Sequence, residues 1–562
     1  MQRLHHGRRY LSPGRLNLGH FSSVGLVLGT LFFALSLTPS LVPRPLLAQG
    51  VVSGLCFSAG YAIGVSLGGL WHYLRLPEPR GIARRAITAI AALTCTLLAA
   101  LFLWQASGWQ NSIRLLMGME PAHGTRGISI AAITLALFAG FTLLAGAFRR
   151  TYRLLANRVF SFLPRRLAVV VGSIAALALF WLLIEGVALS SALRVADRTY
   201  AQLDDFMQDD LAPPDDLGRA GSEASLISWE ALGSRGRRFV TQGPSGEQIG
   251  AFLGEPAIDP LRVYVGLNAA DTPQQRAELA LAELVRAGGF ERSILVLATP
   301  TGRGWIDPGA QNTIEYLARG DIATVAAQYS YLPSHLSLIA EGEYGVESAR
   351  ALFIAIYRYW SNLADNERPA LYLFGLSLGA LNSDRSFDFY DIIEDPFDGA
   401  LWAGPPFRSD TWRSATAGRD PGSPAWLPTF RGGSVIRFMN QRDGYAGYPR
   451  DWGDFRIVFL QYASDPIVFF DPAAFWREPA WMRSPRGPDV SPALRWYPVV
   501  TMLQLLADLA TGGAPPGHGH ELAAEHYIDA WRALVEPDGW SDEEIERLKR
   551  LFIDARQMAP DT

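Results

Sequence analysis

Gly375-Leu376-Ser377-Leu378-Gly379 stands directly after the apolar run Ala370-Leu-Tyr-Leu-Phe374. A serine at the end of a buried strand, with small residues two before and two after it, suits a sharp strand-to-helix turn. The glycines let the two backbones pass, and the hydroxyl is pushed out above the sheet. The five-residue pattern alone is common by chance, so its position at a strand end carries the argument. A serine hydroxyl is a weak nucleophile near neutral pH and needs an adjacent base, commonly a histidine oriented by a carboxylate.

Around such a turn the chain order is serine, acid, histidine. After residue 190 the histidines are His335, His518, His520 and His526. Order removes His335, and His526 falls inside the helical run from Glu521 to Trp531, where a packing role is expected. His518 and His520 remain in Gly517-His-Gly-His520, with His520 favoured for its Gly-x-Gly-His setting just before a helix. For the acid, Arg456-Ile-Val-Phe-Leu-Gln461 is a strong strand ending in Tyr-Ala-Ser-Asp465-Pro466, and a carboxylate just past a strand end suits the role. Asp443 is the runner-up; Asp398, which precedes its strand, is a third option. The oxyanion of acyl transfer needs two donors. One is the backbone N–H of Leu378. The other is expected from the loop after the strand 262–267, at Asn268 or Ala269. A long connection, 299–343, carries Arg303, Trp305, Asp307, Tyr329 and Tyr331, and connections of that length are usually functional; these five are candidate substrate-binding residues. His-x-His has no second His or Cys cluster to complete a metal site, so no metal and no cofactor is expected.

The elements around these residues alternate. Arg262-Val-Tyr-Val-Gly-Leu267 reads as a strand; Thr272-Pro273-x-Gln275 opens a helix with a capping box and closes at Gly288-Gly289. Ser293-Ile-Leu-Val-Leu-Ala298 is the next strand, and Glu347 to Trp360 is an amphipathic helix. This is βαβ punctuation, which argues for a mostly parallel sheet.

Composition sets the N-terminal part apart. The chain of 562 residues is 49% hydrophobic and only 19% charged, and nearly all of its 54 acidic residues lie after Glu185. Sixteen Trp and 29 Phe with two Cys exclude disorder and a disulfide scaffold. A net charge of −4 with a single lysine, Lys549, gives no support to nucleic-acid binding. Five windows, about 23–42, 50–71, 87–104, 128–147 and 167–188, are apolar over the roughly 20 residues needed to span a bilayer. Small residues between Ser58 and Gly69 suit close helix packing. Arginines gather in the N-terminal tail, in the second loop (Arg75, Arg80, Arg84, Arg85) and in the fourth (Arg149 to Arg166), while the alternate loops hold only Arg44, Arg114 and Arg126. Positive loops stay cytoplasmic, so the N-terminus is expected inside and everything after about residue 190 outside. Cys56 and Cys95 fall within spans and read as packing residues. The expected division is a five-helix transmembrane domain at 1–190, an acidic, Pro-bearing stalk at 191–222 and an α/β domain at 223–562.

Together, the runs Ser228-Trp229 to Val240, Arg262 to Asn268, Gly302-Arg-Gly-Trp-Ile-Asp-Pro308, Gln328-Tyr-Ser-Tyr-Leu-Pro333, Gly375 to Ala380, Ser464-Asp465-Pro466 and Gly517 to His520 resemble a bacterial family of integral membrane proteins carrying a C-terminal α/β-hydrolase domain. The resemblance covers nearly the whole chain and implies an α/β-hydrolase fold in a bacterial plasma membrane. The expected function is a membrane-anchored serine hydrolase, with Ser377 as nucleophile, His520 as base and Asp465 as its orienting acid, acting on a lipid or other acyl ester. Acyl transfer by the same chemistry, or a non-catalytic binding module, are the alternatives. One departure stands out: about 55 residues separate Asp465 from His520, with a helical run, Trp496 to Leu509, and no clear strand between them.

Overall fold

The computed structural model describes residues 21–122, 126–154, 211–332, 343–442, 447–511 and 513–558, together with residues 171, 174, 175 and 204. The N-terminal part holds α1 (Ser23–Ser36), α2 (Leu46–Tyr73), α3 (Gly81–Leu116) and α4 (Gly127–Leu154). Among the described residues, three helices are long and apolar enough to cross a membrane, Leu46–Tyr73, Gly81–Leu116 and Gly127–Tyr152, where five spans were expected. α1 has 14 residues, about 21 Å at 1.5 Å per residue against roughly 30 Å of hydrocarbon. It ends where Pro39 follows, since the residue before a proline is pushed out of the helical region. The expected span at 167–188 lies almost wholly outside the described residues, as does most of the expected stalk. Ile90, Leu93, Leu97 and Leu101 of α3 are each more than half exposed, a surface suited to hydrocarbon and not to water. α1 and α2 approach closely through glycine: a Cβ on Gly60 would stand 2.5 Å from the Leu28 carbonyl oxygen, and one on Gly64 2.6 Å from Gly25 Cα.

The C-terminal part is built on seven parallel strands: β1 (Leu261–Val265), β2 (Ile294–Thr299), β3 (Ile322–Ala327), β4 (Ala370–Leu376), β5 (Gly399–Ala403), β6 (Ile436–Met439) and β7 (Arg456–Leu460), ordered β1-β3-β2-β4-β5-β7-β6. Nearly every strand residue is buried, as a sheet covered by helices on both faces requires. Among the helices around it are α5 (Pro273–Arg286), α6 (Pro308–Leu317), α7 (Tyr344–Ser361), α8 (Leu378–Asp384), α9 (Val500–Thr511), α10 (Ala524–Val535) and α11 (Asp542–Met558), beside other short helices and turns. α5 starts as its sequence implies, with Thr272 and Gln275 in a capping box and Pro273 in the first turn. The stretch expected as one long connection, 299–343, instead contains α6 and the interior strand β3. Ile-Ala-Thr-Val-Ala-Ala has no aromatic residue and is half alanine, which is depleted in strands, and pairing with β1 and β2 makes it one.

The two parts share a core. Leu41 and Val42, between α1 and α2, and Ile113 and Met117, at the end of α3, belong to the same buried cluster as the sheet. Arg44 Nε lies 2.7 Å from Asp508 Oδ1 of α9, with both side chains wholly buried. Asp508 also accepts from the Ser40 hydroxyl and the Leu41 N–H, each at 3.0 Å. The segment 37–45 is thus a strap that ties the apolar N-terminal helices to the α/β part.

Candidate active site

Ser377 sits between β4 and α8 with φ +55° and ψ −125°, a left-handed conformation costly for a residue with a side chain. The surrounding glycines make the turn possible: a Cβ on Gly375 would stand 2.5 Å from the Gly379 carbonyl carbon, and one on Gly379 would collide with the Thr299 carbonyl oxygen at the end of β2. The Ser377 N–H is held by the Ala403 carbonyl at 2.9 Å. Its side chain and His520 lie on the wall of one cavity of about 480 Å³, shared with Thr301, Trp305, Asp307 and Leu378.

His520 Nδ1 donates to Asp465 Oδ2 at 2.7 Å. Asp465 is fully buried and caps a short helical turn, its Oδ1 accepting from the Ile467 N–H at 2.8 Å, so both oxygens are fixed. Burial disfavours protonation of His520, but the charge and hydrogen bond of Asp465, aided by Glu521 and Asp307, hold its pKa above the ordinary histidine value. His520 Nε2 is buried and has no hydrogen-bond partner among the described residues; it makes no direct bond to Ser377. Catalytic hydrogen bonds are commonly long without substrate.

The sequence profile described as Alpha/beta-hydrolase family matches residues 261–548, and the one described as Alpha/beta-hydrolase family N-terminus matches residues 37–244. The chain belongs to the alpha/beta-hydrolase family. No curated protein and no solved structure matches it.

In this alpha/beta-hydrolase the 55-residue gap between Asp465 and His520 is closed by side chains in place of a strand. The Gly519 N–H donates to Ser464 Oγ at 2.8 Å, and Ser464 Oγ donates to Asp489 Oδ2 at 2.5 Å. Gln441 Nε2 joins Asp489 Oδ2 at 2.9 Å to the Gly517 carbonyl at 3.0 Å. Gly404, with φ +48°, passes so near that a Cβ would stand 2.6 Å from His520 Cε1. His518 does not line the cavity, and burial lowers its pKa. His526 is a packing residue, pushed down to about 4 by burial and accepting from the Tyr462 hydroxyl at 2.5 Å. Asp398 lies at the opposite end of the sheet, where it accepts from the Leu371 N–H at 2.7 Å. Asp443 and His335 fall outside the described residues. No cluster of three or more metal-ligating side chains occurs among the described residues.

Asn268, the residue expected to supply a second oxyanion donor, lies away from the cavity. Asn268 follows β1, which β3 and β2 separate from the nucleophile strand. It accepts instead from the Tyr331 hydroxyl at 2.6 Å, and neither residue lines the cavity. β2 is the neighbour of β4, so the loop after β2 reaches the turn, and Thr301, Trp305 and Asp307 of that loop are on the cavity wall. Of the five candidate substrate residues, Trp305 and Asp307 line the cavity; Arg303 and Tyr331 do not, and Tyr329 packs behind the turn against Leu378 and Leu381. Asp307 caps α6 through the Gly309 N–H at 2.8 Å, and burial pushes its carboxyl up to about 6. Nothing in the chain's motifs pointed to Phe407, Ile467, Leu509 and Leu522 on the same wall. Gly404-Pro405-Pro406, directly after a strand, was the one available signal for Pro406 and the close pass at His520.

Proposed function

We propose that the protein is a membrane-anchored serine hydrolase cleaving acyl esters. The observation that carries this is Ser377, strained at the end of β4, on one cavity wall with the Asp465–His520 pair. Ser377 Oγ attacks the ester carbonyl carbon while His520 Nε2 takes its proton. The oxyanion is met by the Leu378 N–H, unpaired within its helix as the first N–H groups of any helix are. The Thr301 hydroxyl supplies the second donor, since the Thr301 N–H is already given to the Trp305 carbonyl at 2.9 Å. His520 returns the proton to the departing alkoxide, and water, deprotonated by the same nitrogen, releases the acid and restores Ser377. Asp465 fixes the imidazole tautomer and stabilises its charged form.

The strap supports the orientation. Segment 37–45 and the end of α3 both enter the α/β core, so both stand on its side of the membrane, and the arginine-rich loop between α2 and α3 stands on the other. By the bias of positive loops, the hydrolase part faces away from the cytoplasm. A fluorophosphonate probe on the detergent-solubilised protein tests the chemistry: Ser377 is labelled, and Ser377→Ala abolishes labelling. Undiminished labelling of Ser377→Ala would exclude this nucleophile.

A further inference from the structure

We propose that the substrate is a membrane lipid ester whose acyl chain reaches Ser377 from the bilayer along α9; this rests on Ser377 being the nucleophile. α9 stands between the membrane helices and the cavity and touches both. Val500, Leu503 and Ala507 pack with Val52 and Cys56 of α2 and with Phe32 and Leu35 of α1, while Leu509 lines the cavity with Ser377. The contact is at one end of the helix pair: Ser36, the last residue of α1, donates from its hydroxyl to Ser53 Oγ of α2 at 2.9 Å, and Gln504 of α9 donates to the carbonyls of Ser36 and Thr38 at 3.2 and 3.1 Å. Here the chain leaves its apolar helices, so α9 lies at the bilayer surface.

At that level the protein presents apolar side chains without cover. Leu506, one turn before Leu509 on the same face of α9, is 44% exposed, and Phe475 and Trp476 are 41% and 69% exposed. These two lie beside α9, since the Val499 N–H donates to the Phe475 carbonyl at 2.9 Å. Tryptophan beside exposed aliphatic groups, continuous with membrane-spanning helices, is the composition of a membrane interface. The cavity continues it inward through Leu509, Ile467, Phe407 and Leu376 to Ser377. An acyl chain can therefore pass from the leaflet to the hydroxyl over apolar surface, whereas a water-soluble ester gains nothing from it.

The test uses the full-length protein reconstituted in phosphatidylcholine–phosphatidylglycerol vesicles, comparing a fluorogenic long-chain diacylglycerol ester within the vesicles with soluble p-nitrophenyl butyrate. In Leu506→Asp/Trp476→Asp the ratio of lipid-ester to soluble-ester kcat/KM falls by at least about tenfold, because charge is placed where acyl chains must pass. An unchanged ratio overturns the proposal, as does wild type that cleaves the soluble ester and not the lipid one. Wild type that cleaves neither and takes no fluorophosphonate defeats the Ser377 assignment itself, a failure told apart from the other two by the absence of labelling.

Discussion

Arg44→Met tests whether the strap is part of the hydrolase core. It leaves Asp508 buried with two of its three partners, the Ser40 hydroxyl and the Leu41 N–H, and without the guanidinium at 2.7 Å. Removing one member of a buried ion pair costs about 3–5 kcal/mol. The two remaining donors put this case at the low end, about 3 kcal/mol. Asp508→Asn in the same chain removes the stranded charge and keeps an oxygen for the Leu41 N–H. The double variant therefore lies about 1.5 kcal/mol below wild type, the low end for a lost hydrogen bond to a charged group. A protein of this size is expected to inactivate irreversibly, so the assay is the half-life of fluorophosphonate labelling during incubation of the solubilised protein at elevated temperature. If the loss falls on the unfolding barrier, about 3 kcal/mol shortens the half-life by roughly 150-fold and the double variant recovers most of that. A half-life within twofold of wild type in Arg44→Met, or a double variant no longer-lived than the single, refutes the argument.

The site and the proposed orientation can be tested further. His520 must be neutral to accept the Ser377 proton and its pKa is raised, so the acid limb of kcat/KM for a soluble ester lies above the ordinary histidine value near 6.5. Asp465→Asn removes the largest raising influence and leaves burial opposed only by Glu521 and Asp307: the limb moves to lower pH while the plateau rate falls by roughly 10³-fold or more. Asp307→Asn removes a weaker raising charge, moving the limb the same way by less, read in the same pH profile. Gly404→Ala puts a methyl group against His520 on a backbone with φ +48°, cutting the labelling rate by about 100-fold and lowering stability by about 1–2 kcal/mol; a wild-type labelling rate would show the ring has room to move. A cysteine at Glu78, between α2 and α3, reacts with an impermeant maleimide only after the cytoplasmic face is opened, and one at Glu223 reacts from outside; the reverse pattern inverts the proposed orientation.

How far the sequence could be read depended on whether a feature is local. The Ser377 turn was legible because everything that makes it, an apolar strand and two glycines, lies within ten residues. The capping box of α5 was legible for the same reason. β3 was not, because its alanines become a strand only through neighbours on both sides, and overlooking it hid the strand order. That order decides which loop faces the nucleophile, so the oxyanion donor was sought after β1, at Asn268, when β2 is the strand beside β4. The strap shows the limit most clearly. By charge count Arg44 belonged to a sparsely charged outer loop, one arginine against the rule; in the structure its charge is neutralised by Asp508, 464 residues away. An arginine so paired no longer acts as a free positive charge in that loop. The arginine asymmetry between the two sides is therefore greater in the folded protein than a count along the chain suggests. The same buried pair explains why the N-terminal helices and the α/β part are better regarded as one folding unit than as an enzyme hung from an anchor.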